Sequence, residues 1–350
     1  MTQNFPPEIG GIQTVMFSLA KDLASMGHEV HVFPDHWFSG PHSFNVSNLI
    51  SPKIFRQYIK KILLSTKFHT ESIIICDTWK SVNAVPKKFK NIVLFAHGQE
   101  YLKLKNKNKI LYSLLRTKIL IASSKYTLDL IKKNWNISHI NTNVVYPTYH
   151  IKKLLFKNSP INRVTNFISI CRIEKRKGLL QSLIALKKIE SKGYNYFWNI
   201  IGEGPQLNEL KQKCVELNLN NKVIFHGNIK SNELKNNFLQ ASDVFLMPTF
   251  QDKYSIEGFG LSYIEAARFC IPSIAGVSGG APEAVINKKT GWCVDPNNNE
   301  LLVSTIKKTL VDSKERRQLG KNALKRFEAE LHGEKAVKKL VYIINQSLNR

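Results

Sequence analysis

No stretch of this 350-residue chain approaches the ~18–20 consecutive apolar residues that a membrane-spanning helix needs. The N-terminus, Met1-Thr2-Gln3-Asn4-Phe5-Pro6-Pro7, lacks the charged and apolar segments of a secretion signal. Cysteine is scarce: Cys76, Cys171, Cys214, Cys270 and Cys293 are odd in number, far apart, and form no C-x-x-C pair. That argues against a disulfide scaffold or a zinc site, and the expectation is reduced thiols in a cytoplasmic protein. There is no short-period repeat and no low-complexity segment.

Acidic residues are few as well, 26 against 51 Lys and Arg, for a net charge of +25. Residues 1–160 hold 22 basic and 8 acidic side chains, net +14, and residues 161–350 hold 29 and 18, net +11. The excess is spread over both halves and is not a tail. It suits an anionic partner (a nucleotide, a nucleic acid or an acidic lipid surface). A compositional drift toward Lys, Asn and Ile explains many of the lysines equally well. The length predicts two domains.

Along the chain, apolar runs alternate with amphipathic segments. A loop with Gly10-Gly11 opens a helix bearing Val15, Leu19, Leu23 and Met26, and a strand follows at 30–33. The strand expected before that loop is almost absent, since only Thr2 to Phe5 remain. Residues 51–69 read as a basic amphipathic helix, with Ile54, Phe55, Tyr58, Ile59, Ile62 and Leu63 on one face among Lys53, Arg56, Lys60, Lys61 and Lys67. Such a helix lies on an acidic membrane surface or covers a sheet with a solvated basic side. Residues 103–118, with Lys103, Lys105, Lys107, Lys109, Arg116 and Lys118, form a second candidate for surface binding. Strands are predicted at 72–76, 91–96, 119–122 and 143–146, and the polar stretch 152–163 as a linker. A second unit then alternates strand and helix from 166 to 275, which means a doubly wound parallel sheet. Helices are predicted at 299–312, 314–330 and 334–349.

Several loops that follow strands carry groups fit for a ligand at the carboxyl edge of an α/β sheet. Glu257-Gly258-Phe259-Gly260-Leu261 leads from a buried strand into a helix that carries Glu265 about two turns in. Helix-start N–H groups favour anionic or hydroxyl-rich ligands. The two carboxylates also fit a capped surface helix in which both are solvated. Arg172 and Lys177 follow the strand at 166–171, placed to hold a diphosphate, and the same residues fit a plain basic loop. Gly202-Glu203-Gly204-Pro205 and Gly279-Gly280-Ala281-Pro282-Glu283 are further exposed-backbone turns, the former without the spacing of a G-x-G-x-x-G fingerprint. His97-Gly98 ends the strand at 91–96. Five such loops would share one edge if they belonged to one sheet.

In this order, the motifs resemble the retaining nucleotide-sugar glycosyltransferases of the GT-B fold, family 4, also called glycosyl transferases group 1. They stand here as Arg172…Lys177-Gly178, Gly202-Glu203-Gly204-Pro205, Ala241-Ser242-Asp243…Pro248, Glu257…Glu265-Ala266, Gly279-Gly280-Ala281-Pro282-Glu283 and Gly291, with Gly10-Gly11, Gly27-His28-Glu29-Val30 and His97-Gly98 in the first half. The resemblance implies an α/β, GT-B architecture: two facing Rossmann-like, doubly wound parallel-sheet domains with an interdomain cleft. The acceptor-side domain would span 1–155, the nucleotide-sugar domain 156–330, and a helix at 331–350 would pack back on the first. It implies that Arg172 and Lys177 neutralise the donor diphosphate and Glu265 accepts from the ribose hydroxyls. Glu257, with Gly258, Phe259, Gly260 and Leu261, would hold the transferred sugar; Gly10, Gly11 and Gly202 would approach the donor, and His97 the sugar. The donor would be GDP-mannose or a UDP-sugar, and the acceptor a glycan or lipid-linked sugar of the cell envelope. No cofactor and no metal are expected, since no Asp-x-Asp occurs and the cations do the neutralising. The chain departs from the pattern at Cys171, where glycine is usual, and at Arg268-Phe269-Cys270-Ile271, where smaller residues are usual.

The resemblance places the protein in the cytoplasm, on the inner face of the membrane if 51–69 and 103–118 touch anionic lipid. Two other readings stand beside it: a nucleotide-sugar binder without transfer, and a nucleic-acid-binding protein motivated by charge alone. The latter needs exposed aromatics among basic residues or a known binding module, and the sequence identifies neither, so no nucleic acid is expected as partner. A GT-B epimerase is a related alternative that the Glu-x7-Glu spacing disfavours.

Overall fold

The computed structural model describes residues 1–8, 10–49, 51–102, 104–147 and 164–348. The linker expected at 152–163 and Lys103 of the second basic stretch lie outside them. The chain forms two compact units, one of Met1–Ile151 with Leu331–Arg350 and one of Lys152–Glu330.

The first unit runs α1 (Gly11–Ser25), β1 (His31–Val32), β2 (Asn45–Val46), α2 (Lys53–Lys67), β3 (Ile74–Cys76), α3 (Trp79–Val82), β4 (Ile92–Ala96), α4 (Lys107–Leu115), β5 (Ile119–Ala122), α5 (Lys125–Asn134) and β6 (Asn141–Val144). Strands β3-β4-β5-β6 form one parallel sheet and β1-β2 a parallel pair. Met1 and Thr2 lie between the two: the Met1 amine donates to Ile75 O at 2.9 Å, Asp77 N to Met1 O at 3.3 Å and Thr2 N to Phe33 O at 3.2 Å. They occupy the slot of the strand that the sequence leaves almost absent. β4 reads as an unbroken apolar run because both sheet faces are covered. Ile92, Leu94 and Ala96 enter one buried cluster with Trp79, Ile110, Leu114 and Ile131. Val93 and Phe95 enter the other, with Met16, Leu19 and Leu23 of α1.

Three expectations need correcting here. The strand predicted at 143–146 begins two residues earlier, because Asn141 to Val144 pair in register with Ile119 to Ala122. Lys60 is not a surface cation: it is 2% exposed, and its Nζ donates to Asp35 Oδ1 at 2.5 Å and Thr2 O at 3.0 Å. In the 103–118 stretch, Arg116 is spent on the backbone, donating to Val85 O and Pro86 O, each at 2.8 Å, and Lys118 donates to Asn91 Oδ1 at 3.2 Å.

The second unit runs β7 (Thr165–Ile170), α6 (Leu179–Glu190), β8 (Tyr196–Ile201), α7 (Leu207–Glu216), β9 (Val223–Phe225), α8 (Asn232–Gln240), β10 (Val244–Met247), α9 (Leu261–Arg268), β11 (Ser273–Ala275), α10 (Ala281–Ala284), β12 (Gly291–Cys293), α11 (Asn299–Val311) and α12 (Ser313–Arg326). Its six strands are all parallel, in the order β12-β11-β10-β7-β8-β9. The order reverses between β7 and β10, which makes the carboxyl ends of those two strands the switch point where such sheets bind ligands. The helix expected at 314–330 stops at Arg326 and gives way to a π turn, Phe327–Leu331. α13 (Gly333–Leu348) then joins the first unit, with Val337, Leu340, Ile343 and Ile344 buried in the cluster that holds α1.

Candidate functional site

The loops after β7 and β10 meet at the switch point of the second unit. A 3-10 turn, Lys175–Lys177, leaves the first loop, and Gly178 starts α6 with φ 71°. A β-carbon at Gly178 would stand 2.1 Å from Pro248 O, the residue just after β10. Only glycine therefore lets the two loops come this close. Phe250 N then donates to Arg176 O at 2.9 Å and fixes one loop on the other.

This contact delivers two cations to one carboxylate. Arg176 Nη1 and Lys177 Nζ donate to Glu257 Oε2 at 2.7 and 2.5 Å, and all three side chains are largely buried. Burial alone would raise the Glu257 carboxyl, but Lys177 and Arg176 overcome it and hold it down at about 2. Burial likewise opposes the Arg176 charge, yet Glu257 and Glu174 raise that guanidinium above its ordinary value. Glu174 accepts from Arg176 Nε at 3.0 Å and from Arg172 Nε at 3.1 Å. Two carboxylates thus bind three cations in a row that ends in water, since the Arg172 side chain is 73% exposed.

Beyond Glu257 the backbone turns at Gly260, whose φ of 102° caps α9. A β-carbon there would lie 2.4 Å from the Tyr263 ring, and that ring is anchored by its hydroxyl donating to Met247 O at 2.6 Å. Gly258 is half-buried, Phe259 buried, and Leu261 and Ser262 open the helix. Glu265 stands half-buried in the second turn of α9. Gly280 N donates to Glu257 O at 2.9 Å, so the loop after β11 supports the same segment. On the other side, Gly202 N donates to Gly227 O at 2.7 Å and Ile173 N to Glu203 O at 2.8 Å, tying the loop after β8 to the one carrying Arg172. Among the described residues no group of three or more His, Cys, Asp and Glu is placed to hold a metal ion.

In the first unit, Gly10 caps the 15-residue α1 and Gly11 is its first residue. The segment leading to them hangs on Asp77, which is fully buried. Asp77 Oδ2 accepts from Thr2 Oγ1 at 3.0 Å, Gln3 N at 2.9 Å, Asn4 N at 2.9 Å and Asn4 Nδ2 at 2.8 Å. Its other oxygen accepts from Ser81 Oγ at 2.5 Å. His97 is half-buried at the end of β4; its Nε2 donates to Asp77 O at 2.8 Å, which leaves Nδ1 as the acceptor of the neutral ring.

Lys177 and Glu257 are therefore joined, whereas Arg172 reaches neither. Arg176 and Asp77 carry geometry that the sequence reading missed. The tandem Arg176-Lys177 before a glycine was the available signal for the first. Nothing local marked Asp77, which followed a predicted strand like many polar residues.

The model of the family described as Glycosyl transferases group 1 matches residues 151–326, and that of Glycosyltransferase Family 4 matches residues 9–152. A GDP-mannose-dependent alpha-(1-6)-phosphatidylinositol monomannoside mannosyltransferase of Mycolicibacterium smegmatis is 32% identical over 155 residues, 44% of this chain and 40% of that protein. The capsular polysaccharide biosynthesis glycosyltransferase CapM of Staphylococcus aureus is 31% identical over 190 residues, 54% of this chain and 46% of that one. The match thus spans under half the length of each of these two relatives. Among solved structures, a sucrose-phosphate synthase of Thermosynechococcus elongatus superposes with a TM-score of 0.80 at 20% identity, over 96% of this chain and 93% of that one. HepE of Anabaena, in complex with UDP and glucose, does so with a TM-score of 0.79 at 17% identity, over 98% of each. That likeness gives the GT-B fold.

Proposed function

The chain belongs to the glycosyl transferases group 1, and from that membership we propose that it moves a hexose from a nucleotide-diphosphate sugar to a glycan or lipid-linked acceptor of the cell envelope. The observation that carries the reading is the Arg176–Glu257–Lys177 cluster at the switch point of a parallel sheet. Such a site offers a diphosphate two cations and offers sugar hydroxyls a carboxylate that stays ionised at neutral pH.

In this reading Lys177, Arg176 and the exposed Arg172 neutralise the donor diphosphate. Glu257 and the N–H groups of Gly258 to Leu261 hold the hexose, Glu265 accepts from the ribose hydroxyls, and Gly202 lets the donor pass close to backbone. The Gly10-Gly11 start of α1 meets phosphate with helix-end N–H groups, and His97 offers Nδ1 to a sugar hydroxyl. The bond from the anomeric carbon to the phosphate oxygen breaks, the acceptor hydroxyl oxygen bonds that carbon on the same face, and the departing phosphate oxygen takes the hydroxyl's proton, so configuration is retained. The protein stabilises charge and positions the reactants, with neither metal nor cofactor in the scheme. The mannosyltransferase relative favours GDP-mannose and the UDP complexes of HepE a UDP-sugar. A lipid-linked acceptor draws the chain to the inner face of a membrane, and no described helix is long and apolar enough to cross one.

The test is nucleoside diphosphate release from a panel of GDP- and UDP-sugars, with and without glycan or lipid-linked acceptors, in EDTA. Release from one donor, abolished in Lys177→Met, supports the reading. Binding of a donor without release across all acceptors replaces transfer with sugar-nucleotide binding alone. Release that stops in EDTA removes the metal-free scheme.

A further inference from the structure

Helix α2 shows its apolar face to solvent. Ile54, Phe55, Tyr58 and Ile62 are 82, 56, 65 and 45% exposed. At 3.6 residues per turn they share an arc of about 100°. Leu64 and Lys60, both buried, lie on the opposite side of the helix. The sequence alone left open which face was covered. The structure decides it with an ion pair: Lys60 is locked to Asp35 and to Thr2 O, so the helix cannot roll to hide its apolar arc.

The rim of that arc is cationic. Lys61, about 20° outside the arc, is exposed, and α2 contains no Asp or Glu. A further cation arrives from outside the helix, since Lys88 Nζ donates to Ser65 O at 2.9 Å and Ser65 falls within the arc. Large exposed apolar side chains flanked by lysines match the boundary of an anionic bilayer, where acyl chains take the former and headgroups the latter. A protein partner would call for mixed charges at the rim instead.

We propose that α2 docks this protein on anionic membrane, with Ile54, Phe55, Tyr58 and Ile62 entering the headgroup–acyl boundary and Lys61 and Lys88 facing the lipid phosphates. The inference rests on the proposed transfer to a lipid-linked acceptor only for its purpose, not for its geometry.

The experiment is co-sedimentation with vesicles of phosphatidylcholine alone or with about a third phosphatidylglycerol, for the full chain and two variants. One variant is Ile54→Ser with Phe55→Ser and Tyr58→Ser; the other is Lys61→Glu with Lys88→Glu. All these side chains are exposed, and unchanged melting temperatures establish that both variants fold. The parent chain is expected to bind the anionic vesicles. The serine variant should bind at least tenfold more weakly, and the glutamate variant about fivefold more weakly per cation. No binding by the parent, or equal binding by the serine variant, overturns the proposal. So does a concentration-dependent dimer of the parent that the serine changes dissolve, since a second copy then covers the face. Donor turnover by the serine variant in vesicle-free solution reports the transferase reading separately, because none of the changed residues belongs to the donor site.

Discussion

Replacing Glu257 with glutamine tests the charge cluster at its centre. The carboxylate lies between Arg176 and Lys177, and its folded-state value sits at about 2 where 4.5 is ordinary. Each pH unit of such a difference is worth about 1.4 kcal/mol, so ionised Glu257 contributes roughly 3 kcal/mol to folding. A depressed carboxyl contributes fully above its unfolded value and loses that contribution as pH falls toward the folded one. The window here is therefore pH 4.5 down to about 2. Between pH 7 and pH 3.5 the contribution falls by on the order of 1 kcal/mol. Glu257→Gln has nothing to titrate at this position, so urea denaturation at both pH values should show the gap between parent and variant narrowing by that amount. Other carboxylates titrate alike in both proteins and cancel. A gap that stays constant within about 0.5 kcal/mol refutes the claim that the two cations hold Glu257 ionised.

Two further outcomes follow from the geometry. Gly178→Ala should cost more than about 1 kcal/mol, through a positive φ and a β-carbon driven against Pro248 O, and a melting temperature equal to the parent's would contradict the close approach of the two loops. Asp77→Ala leaves the donors of Thr2, Gln3 and Asn4 without their acceptor and should destabilise by about 3 kcal/mol, measured by denaturation.

Much of this architecture was legible because parallel strands buried on both faces write themselves as apolar runs. Ile92 to Ala96 and Ile119 to Ala122 were placed from that signal within a residue. β6 escaped it: Asn141-Thr142-Asn143 is polar because the strand is at a sheet edge, and the apolar residues after it drew the expectation toward Tyr146. Only its ladder with β5 sets the true position. For the site, Glu257 and Lys177 were both named, yet 80 positions separate them in the chain, and nothing in one-letter code says that they touch. Arg176 was passed over because adjacent cations look alike until a fold turns one of them inward. The orientation of α2 was illegible for the converse reason: a lysine, Lys60, occupies its buried side, and no hydrophobicity pattern assigns a charged residue there.

The route of the chain has a consequence for how this protein is made. The core of the first unit is closed by Val337, Leu340, Ile343 and Ile344, which are translated after the whole of the second. On the ribosome, domains tend to fold in order as they emerge. Here the earlier one waits, with the matching side of α1 uncovered, until α13 emerges. The second unit, continuous in sequence, has no such delay. The nascent chain therefore holds its longest-lived sticky surface in the first unit, and that is where a chaperone would be needed.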